Sequence, residues 1–328
     1  MTTPESTPRI GVIGVGTIGQ THIKTWTAIG CPPVAFADAV PAALEATVAK
    51  SGGRGFASAL DLIASGEVDI VSVCTPPAFH REIVVAALEA NVAVLCEKPL
   101  AHNLADAEAI AEAAERTGTL VSVGFCHRFQ PHLQRLKALI DDGELGTVMS
   151  YRNRFAGHNK NVEKTWFANP AIAGGGVLSD TSIHSIDTFR YLIGDPVRVH
   201  AFTGTRDTEL GPRLDVEDTA AMILQTADGT IGVIESSWRT PAGEWSFTVH
   251  GTAGTALFDY GTMKLEVIDA SKQSRDIEVE DGDRFQREFA HFLDCWRTGT
   301  TPRVTVADGL AANRILDAAY RADWESAT

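Results

Sequence analysis

The sequence lacks an excess of basic residues, a long apolar run and any paired cysteine motif. Its 328 residues contain 28 Lys and Arg against 42 Asp and Glu, which gives a net charge of −14 at pH 7. A nucleic acid or an anionic membrane surface would require a basic face, so this balance argues against either as the main partner. No run reaches the roughly 18 apolar residues of a membrane-spanning helix.

The cysteines are five, an odd number without CxxC spacing, as is typical of a protein kept reduced. The polar segment before Arg9 has no apolar core of the kind a signal peptide needs. We therefore expect a cytoplasmic protein without a metal site, whose cysteines serve as small buried side chains. A metal or redox role for Cys74, Cys96 and Cys126, each near the end of a predicted strand, is the alternative.

Short apolar segments alternate with helical patterns between Arg9 and Gly124. These segments are rich in Val, Ile, Leu and Ala without strict alternation, so we expect strands buried on both faces. They are Ile10–Ile13, Pro33–Ala37, Asp69–Cys74, Val92–Cys96 and Leu120–Val123. The alternation predicts βαβ units and a doubly wound parallel sheet of the Rossmann type.

After about residue 145 the pattern changes to several strand-like runs separated by turns. It predicts a helix over Thr181–Leu192 and a mostly antiparallel sheet with one face covered by helices. Two further helical patterns, Phe285–Trp296 and Ala307–Ala322, end the chain. We therefore expect an α/β protein with a dinucleotide-binding domain at residues 1–127. A second domain at 128–328 would have C-terminal helices that pack back toward the first.

A glycine-rich turn, residues 14–19, follows the first predicted strand and opens a helix. Its glycines allow a tight turn, close approach to a pyrophosphate and helix–strand packing, while the helix amides face the phosphates. The expected cofactor contacts here are Gly14, Gly16, Thr17, Ile18 and Gly19. A turn that binds no ligand is the alternative reading.

Asp38 ends the next predicted strand, 19 positions beyond Gly19. A carboxylate at this spacing accepts hydrogen bonds from the ribose hydroxyls and repels a 2′-phosphate. The following residues, 39–41, offer no Lys or Arg to hold such a phosphate. The pattern therefore predicts NAD in preference to NADP.

Lys98 lies between Glu97 and Pro99, directly after a predicted buried strand. Ligands of open α/β sheets bind at this carboxyl edge, where an ammonium can stabilise negative charge on a substrate oxygen. Glu97 could orient the Lys98 side chain. An exposed Glu–Lys pair is the plain alternative.

Asp180 and His184 are spaced i and i+4, so a helix would bring both to one face. The imidazole titrates near neutrality and can accept a hydroxyl proton, while the carboxylate orients it. Residues 174–176, three glycines, let the backbone approach a ligand. A helix-starting Asp180 with a buried structural His184 is the alternative.

These motifs together resemble those of the Gfo/Idh/MocA oxidoreductase family, in the same order and over nearly the whole chain. The matching segments are the glycine turn, residues 73–80 (VCTPPAFH), 97–99 (EKP), 124–129 (GFCHRF), 166–194 and 288–310. The resemblance implies a second domain with a large open sheet that pairs subunits into dimers or tetramers. It also implies NAD(P)-dependent oxidation of a sugar or cyclitol hydroxyl, with Lys98, Asp180 and His184 as catalytic residues.

By the same resemblance, the cofactor near its nicotinamide-side ribose is lined by six residues: Thr75, Pro76, Pro77, His80, Glu97 and Lys98. Inositol dehydrogenases of the family often carry an arginine where this chain has His127, so the substrate stays open. Candidate substrate contacts, polar or aromatic residues expected near the cleft, are His127, Arg154, His158, Asn159 and Trp166. The alternative functions are an NAD-retaining epimerase or glycoside-cleaving enzyme, and a non-catalytic dinucleotide-binding regulator.

Overall fold

The computed structural model describes residues 7–321, which divide into two units. One contains 7–126 and 283–313, and the other 127–282 and 314–321. Most of the N-terminal segment examined for a signal peptide, and residue 322 of the last predicted helix, lie outside the described residues. No described helix is both long and apolar enough to cross a membrane.

Strands and helices are numbered in chain order. The strands are β1 (Ile10–Ile13), β2 (Ala35–Ala37), β3 (Arg54–Phe56), β4 (Ile70–Val73), β5 (Ala93–Cys96), β6 (Val121–Val123), β7 (Val148–Ala156), β8 (Pro196–Gly204), β9 (Thr219–Thr226), β10 (Ile231–Ser237), β11 (Trp245–Gly251), β12 (Gly254–Asp259), β13 (Lys264–Asp269) and β14 (Ser274–Ile277). The helices are α1 (Thr17–Ala28), α2 (Pro41–Ser51), α3 (Ala59–Ala64), α4 (His80–Glu89), α5 (Leu104–Thr117), α6 (Pro131–Asp141), α7 (Pro170–Ala173), α8 (Ile183–Leu192), α9 (Arg284–Thr298) and α10 (Val306–Arg321).

The first unit holds a six-stranded parallel sheet in the order β3-β2-β1-β4-β5-β6. This confirms the predicted doubly wound fold. Strand order reverses between β1 and β4, which places a ligand crevice beyond their carboxyl ends. The sequence reading missed β3 because two of its three residues are exposed and it lacks an apolar pattern.

Helix α9 belongs to the core of this first unit although it lies far along the chain. Its Phe289 and Phe292 are buried in one apolar cluster with Trp26 of α1 and with Ile10 and Val12 of β1. Trp26 and Phe289 have ring centroids 4.8 Å apart. The helix that opens at the glycine turn is therefore fixed from both sides, by the sheet and by α9.

The second unit holds an eight-stranded sheet in the order β14-β13-β12-β11-β7-β10-β9-β8. Only the β7–β10 pair is parallel, so the predicted large, mostly antiparallel sheet is confirmed. Side chains alternate along it: Tyr151, Asn153 and Phe155 of β7 are buried on the face that α8 covers. The ring of Phe189 in α8 lies against Tyr151, with centroids 5.4 Å apart.

Two local predictions need correction. The helix expected to start at Thr181 begins earlier, as a π-helical turn over Leu178–Ser182 that continues into α8. Helix α6 was not predicted, although Pro131 at its first position and Leu133, Leu136 and Leu139 at helical spacing signalled it.

All five cysteines are buried and free of disulfides. Burial raises the pKa of the thiols of Cys74, Cys96 and Cys126, chiefly through desolvation of the thiolate. These thiols are therefore neutral at physiological pH, as expected of structural cysteines.

Candidate functional site

The glycine turn lies at the carboxyl end of β1, where strand order reverses. Gly14 has φ +85°, and a Cβ there would lie 2.8 Å from the Cys74 carbonyl carbon. A Cβ on Gly19 would lie 2.0 Å from the Gly14 oxygen, so both positions require glycine. A Cβ on Gly16 meets no described atom within 4 Å, which leaves room for a ligand against the start of α1.

Asp38 follows β2 and faces the same turn. Its Oδ2 accepts a 2.8 Å hydrogen bond from the Val15 amide, and its Oδ1 accepts one of 2.8 Å from the Val40 amide. The glycine turn and the turn after β2 are thus both hydrogen-bonded to one partly buried carboxylate. Its remaining lone pairs can still accept hydrogen bonds from ribose hydroxyls.

The turn after β4 contains Thr75, Pro76 and Pro77. The buried Thr75 Oγ1 has no hydrogen-bond partner among the described residues. Buried polar groups are normally hydrogen-bonded, so this hydroxyl is a candidate for a hydrogen bond to a bound ligand. His80 is fully buried, with Nε2 2.9 Å from the Thr75 oxygen and Nδ1 3.0 Å from the Pro99 oxygen. It therefore holds the Thr75 turn against the turn that carries Lys98.

Lys98 comes after Glu97, just beyond the end of β5, and is partly buried. The Glu97 side chain turns inward, where its Oε1 lies 2.9 Å from Nε2 of His22 in α1. Its Oε2 accepts a hydrogen bond of 3.2 Å from the Lys98 amide. The Glu–Lys pair is thus not an exposed surface pair, because the carboxylate is buried behind the lysine.

In the second unit, Asp180 belongs to the π-helical turn and His184 to the first turn of α8. The wider turn keeps both residues near the helix start. Ser182 between them donates a 2.8 Å hydrogen bond to Ser236 of β10, which anchors the turn to the sheet. Asp187 is structural, since its carboxylate accepts hydrogen bonds of 2.6–3.0 Å from the buried Arg128 guanidinium.

The three glycines before this turn are fixed by Glu217 and Tyr320, which the sequence did not reveal. Glu217 Oε1 accepts hydrogen bonds of 3.0 Å from the Gly176 and Leu178 amides and one of 2.7 Å from the Tyr320 hydroxyl. A Cβ on Gly175 would lie 1.9 Å from that hydroxyl oxygen. Burial and the Glu217 carboxylate raise the pKa of Tyr320, so it stays a neutral donor.

His127 is buried beside His184, with ring centroids 4.7 Å apart. Its Nδ1 lies 2.5 Å from the Tyr260 hydroxyl. Phe155 and Trp245 complete a group of rings around it, with centroids 5.2 and 6.3 Å from that of His127. We call His127, Phe155, Trp245 and Tyr260 the aromatic wall. Trp245 and Tyr260 were missed, because nothing near them in sequence pairs them with His184.

The other candidate substrate residues are dispersed. Trp166 stacks on Phe167 at 3.9 Å, and Phe167 meets Trp238, whose Nε1 donates to the Thr181 hydroxyl at 3.2 Å. This chain of rings ends beside Asp180. The backbone amide of Asn159 donates to the Trp238 carbonyl oxygen at 3.0 Å.

His158 and Arg154 occupy different surroundings. His158 forms an isolated bridge with Arg239. Arg154 alternates with the buried Asn153 and Phe155, so its side chain lies on the opposite face of the sheet from α8. There it lines a groove of about 490 Å³ with Phe202.

Comparison with known proteins decides the family. A model of an oxidoreductase family with an NAD-binding Rossmann fold matches residues 8–125, and one of the GFO/IDH/MocA C-terminal domain matches 133–257. The chain is 30% identical to inositol 2-dehydrogenase of Rhizobium meliloti (strain 1021), over 96% of each chain. The chain belongs to the Gfo/Idh/MocA family.

Solved structures of the family agree over the whole length. A levoglucosan dehydrogenase in complex with NADH and levoglucosan superposes with a TM-score of 0.88, at 26% identity and 96% coverage of each chain. An aldose-aldose oxidoreductase from Caulobacter crescentus, complexed with glycerol, gives 0.87 at 28% identity and 97% coverage of each. The resemblance stated from the motifs is confirmed, and the chain is a dehydrogenase acting on CH–OH groups with an NAD-binding Rossmann unit.

Proposed function

We propose that the protein is an NAD-dependent oxidoreductase that interconverts a secondary hydroxyl and a ketone on a sugar, polyol or cyclitol. The observation that carries the proposal is the contact of His184 with the aromatic wall. A titratable imidazole beside aromatic rings suits a ligand with an apolar C–H face and a hydroxyl to deprotonate. Relatives named for inositol and levoglucosan support this substrate class.

Each catalytic residue has one role in the proposed reaction. His184 accepts the hydroxyl proton as a neutral imidazole, and Asp180 orients it and stabilises the imidazolium that forms. The Lys98 ammonium stabilises the negative charge that develops on the carbinol oxygen. A nicotinamide bound in the first unit would supply the acceptor for the hydride of the carbinol carbon.

The residues of the first unit fit a dinucleotide. The proposed contacts are those of the glycine turn, of Asp38 and of the turn after β4: Gly14, Gly16, Thr17, Ile18, Gly19, Asp38, Thr75, Pro76 and Pro77. The open space at Gly16 and the unpartnered Thr75 hydroxyl support the fit. Glu97 and His80 are buried. Their side chains hydrogen-bond to the Lys98 amide and the Thr75 carbonyl oxygen, and in this way they hold the neighbouring turns in place.

NAD is the proposed cofactor in preference to NADP. The carboxylate of Asp38, held by the amides of Val15 and Val40, would repel a 2′-phosphate. Kinetics with both cofactors test this preference. Equal kcat/KM for NADP would contradict it.

The proposed substrate contacts are His127, His158, Asn159 and Trp166, joined by Trp245 and Tyr260 of the aromatic wall. Arg154 is left out of this set because its side chain lies on the opposite face of its sheet. The deciding observation would be a change in KM for the carbohydrate, at constant KM for NAD, when Trp245 is replaced by Leu.

The test of the function is NADH absorbance during incubation with NAD and a panel of sugars, polyols and inositols. We expect turnover with a member of the panel, and loss of most of it in Lys98→Ala and His184→Ala with fold and NAD affinity kept. Near-wild-type turnover in either variant would overturn the assigned roles. NAD binding without turnover of any panel member would favour a non-catalytic regulator.

A second candidate is an enzyme that keeps its NAD bound and uses transient oxidation. The likeness to an aldose-aldose oxidoreductase, at 28% identity over 97% of the chain, favours this alternative. Such an enzyme would convert a sugar without net NADH formation. Product analysis at substoichiometric NAD separates the two, because a simple dehydrogenase stops once its NAD is reduced.

We also propose assembly of copies of the chain through the open face of the eight-stranded sheet. Phe202, Ile223 and Ile231 lie there, 58, 49 and 44% exposed, which is unusual for side chains of their size. Ile223→Glu should lower the molar mass measured by light scattering. The cytoplasm is the proposed compartment, supported by five buried free thiols.

A further inference from the structure

Two buried polar side chains, 75 residues apart in sequence, meet behind the turn that carries Lys98. His22 lies on α1, one turn beyond Gly19, and Glu97 directly follows β5. His22 Nε2 is 2.9 Å from Glu97 Oε1, and the side chains are 1 and 9% exposed. A buried pair of this kind costs desolvation free energy, so a simple packing role would be served better by apolar residues.

Gly124 leaves space beside it for the Glu97 carboxylate. A Cβ on Gly124 would lie only 3.2 Å from Glu97 Oε1, so the glycine keeps this space open. The second oxygen, Oε2, accepts the Lys98 amide at 3.2 Å. The carboxylate thus joins the dinucleotide-binding helix to the turn of the proposed catalytic lysine.

Glu97 is ionised in this position. Burial alone would raise the pKa of its carboxyl, but the hydrogen bond with His22 and the charge of Lys98 bring it below its ordinary value. A buried carboxylate next to an ammonium favours the charged form of that ammonium.

Other titratable groups also face Glu97, from β4, β5, α4 and the end of β6. Burial raises the pKa of the thiols of Cys74, Cys96 and Cys126 and lowers the pKa of His80. All four are therefore neutral near pH 7. Of the described groups acting on Glu97, His22 and Lys98 are those that lower its pKa.

His22 serves as a single hydrogen-bond donor. Its Nε2 can give its proton to Glu97, whereas its buried Nδ1 has no partner among the described residues. The ring edge also packs on Phe289 of α9, with centroids 4.7 Å apart, which fixes its orientation.

We propose that His22 and Glu97 are positioning residues that hold the Lys98 turn in place and keep its ammonium charged, so that it can stabilise an oxyanion. His22 fixes Glu97 from the cofactor-binding helix, and Glu97 supplies the counter-charge. The role of Lys98 in this inference rests on the proposed function, but its protonation can be measured without turnover.

The test is the pH dependence of acetylation of Lys98 by trace acetic anhydride, read by mass spectrometry of the peptide that contains it. Glu97→Gln keeps the size of the side chain and removes its charge. We expect its labelling midpoint to fall by about one pH unit or more, because the ammonium loses its counter-charge. His22→Leu should shift the midpoint in the same direction by less, and it carries the test if Glu97→Gln does not fold.

Two control variants accompany this test: His22→Gln, which is matched to His22→Leu, and Ser72→Ala, which controls for a general loss of stability. A glutamine amide can donate one hydrogen bond without charge, so His22→Gln should restore the wild-type midpoint. Ser72→Ala removes another buried bond to α1, the 2.8 Å bond from Trp26 Nε1, away from Glu97. It should lower the melting temperature and leave the labelling midpoint unchanged.

With an active carbohydrate substrate, the alkaline limb of the kcat profile should move to lower pH in Glu97→Gln. Unchanged labelling midpoints in both Glu97→Gln and His22→Leu would overturn the inference, whatever their stability. Absence of turnover in the wild type would instead contradict the proposed function and leave the labelling result valid.

Discussion

The two sheets of this protein present their chemistry in different ways. The parallel sheet buries both faces, as in β1, β4 and β5, where every residue is buried. Its functional groups therefore stand beyond the ends of strands. The eight-stranded sheet buries one face and leaves the other open, and its aromatic wall stands on the buried face.

This difference decides what each site is made of. Beyond the strand ends of the first unit, backbone amides, glycines and one ordered carboxylate shape the space for a ligand. On the second sheet, side chains from separate strands and from α8 shape it. A substitution should therefore damage the first site through the backbone and the second through single functional groups.

The largest expected effect comes from the backbone-built site. Gly19→Ala should lower the free energy of unfolding by more than about 4 kcal/mol, because its Cβ would lie 2.0 Å from the Gly14 carbonyl oxygen. Gly16→Ala is the matched control, since its φ of −66° suits alanine and its Cβ meets no described atom within 4 Å. Urea denaturation measures both.

Gly16→Ala should instead weaken NAD binding at least about tenfold, or about 1.4 kcal/mol, because the new methyl group occupies the space of the pyrophosphate. Calorimetric titration with NAD measures this. Equal loss of stability in the two variants, or full NAD affinity in Gly16→Ala, would contradict a backbone-built ligand site.

The next effect concerns the buried ion pair between Arg128 and Asp187 of α8, the helix that covers one face of the second sheet. Arg128→Ala leaves Asp187, 1% exposed, without its guanidinium, and should cost about 3–5 kcal/mol of unfolding free energy. Arg152→Ala breaks an ion pair on the open face, with side chains 56 and 36% exposed, and should cost about 0–1 kcal/mol. Similar losses in urea denaturation would show that the buried pair beside α8 and the exposed pair on the open face do not differ as described.

The same difference explains what the sequence could predict. The glycine turn, Asp38 and Lys98 each follow a predicted strand within a few residues, so periodicity and the rule for parallel sheets placed them at one edge. The short strand β3 could not be predicted in this way, because its three residues carry no apolar pattern.

The aromatic wall could be predicted only in part. His127 was a candidate, but Tyr260 and Trp245 reach it through the register of β11 with β7 and β12. Glu217 and Tyr320 likewise meet the glycine loop from distant segments. Such partners depend on strand pairing and helix packing, which a single sequence does not specify.

The smallest expected effect tests the wall itself. Tyr260→Phe keeps the ring and removes the hydroxyl that lies 2.5 Å from His127 Nδ1. Net hydrogen-bond contributions are about 0.5–1.5 kcal/mol, so kcat should fall about threefold to tenfold while KM for NAD stays constant. Tyr151→Phe removes a hydroxyl 3.1 Å from Thr188 on the same face and should lower stability alone. If both variants lose stability and neither loses kcat, Tyr260 packs the sheet without acting on His184, and the second site is smaller than the wall described.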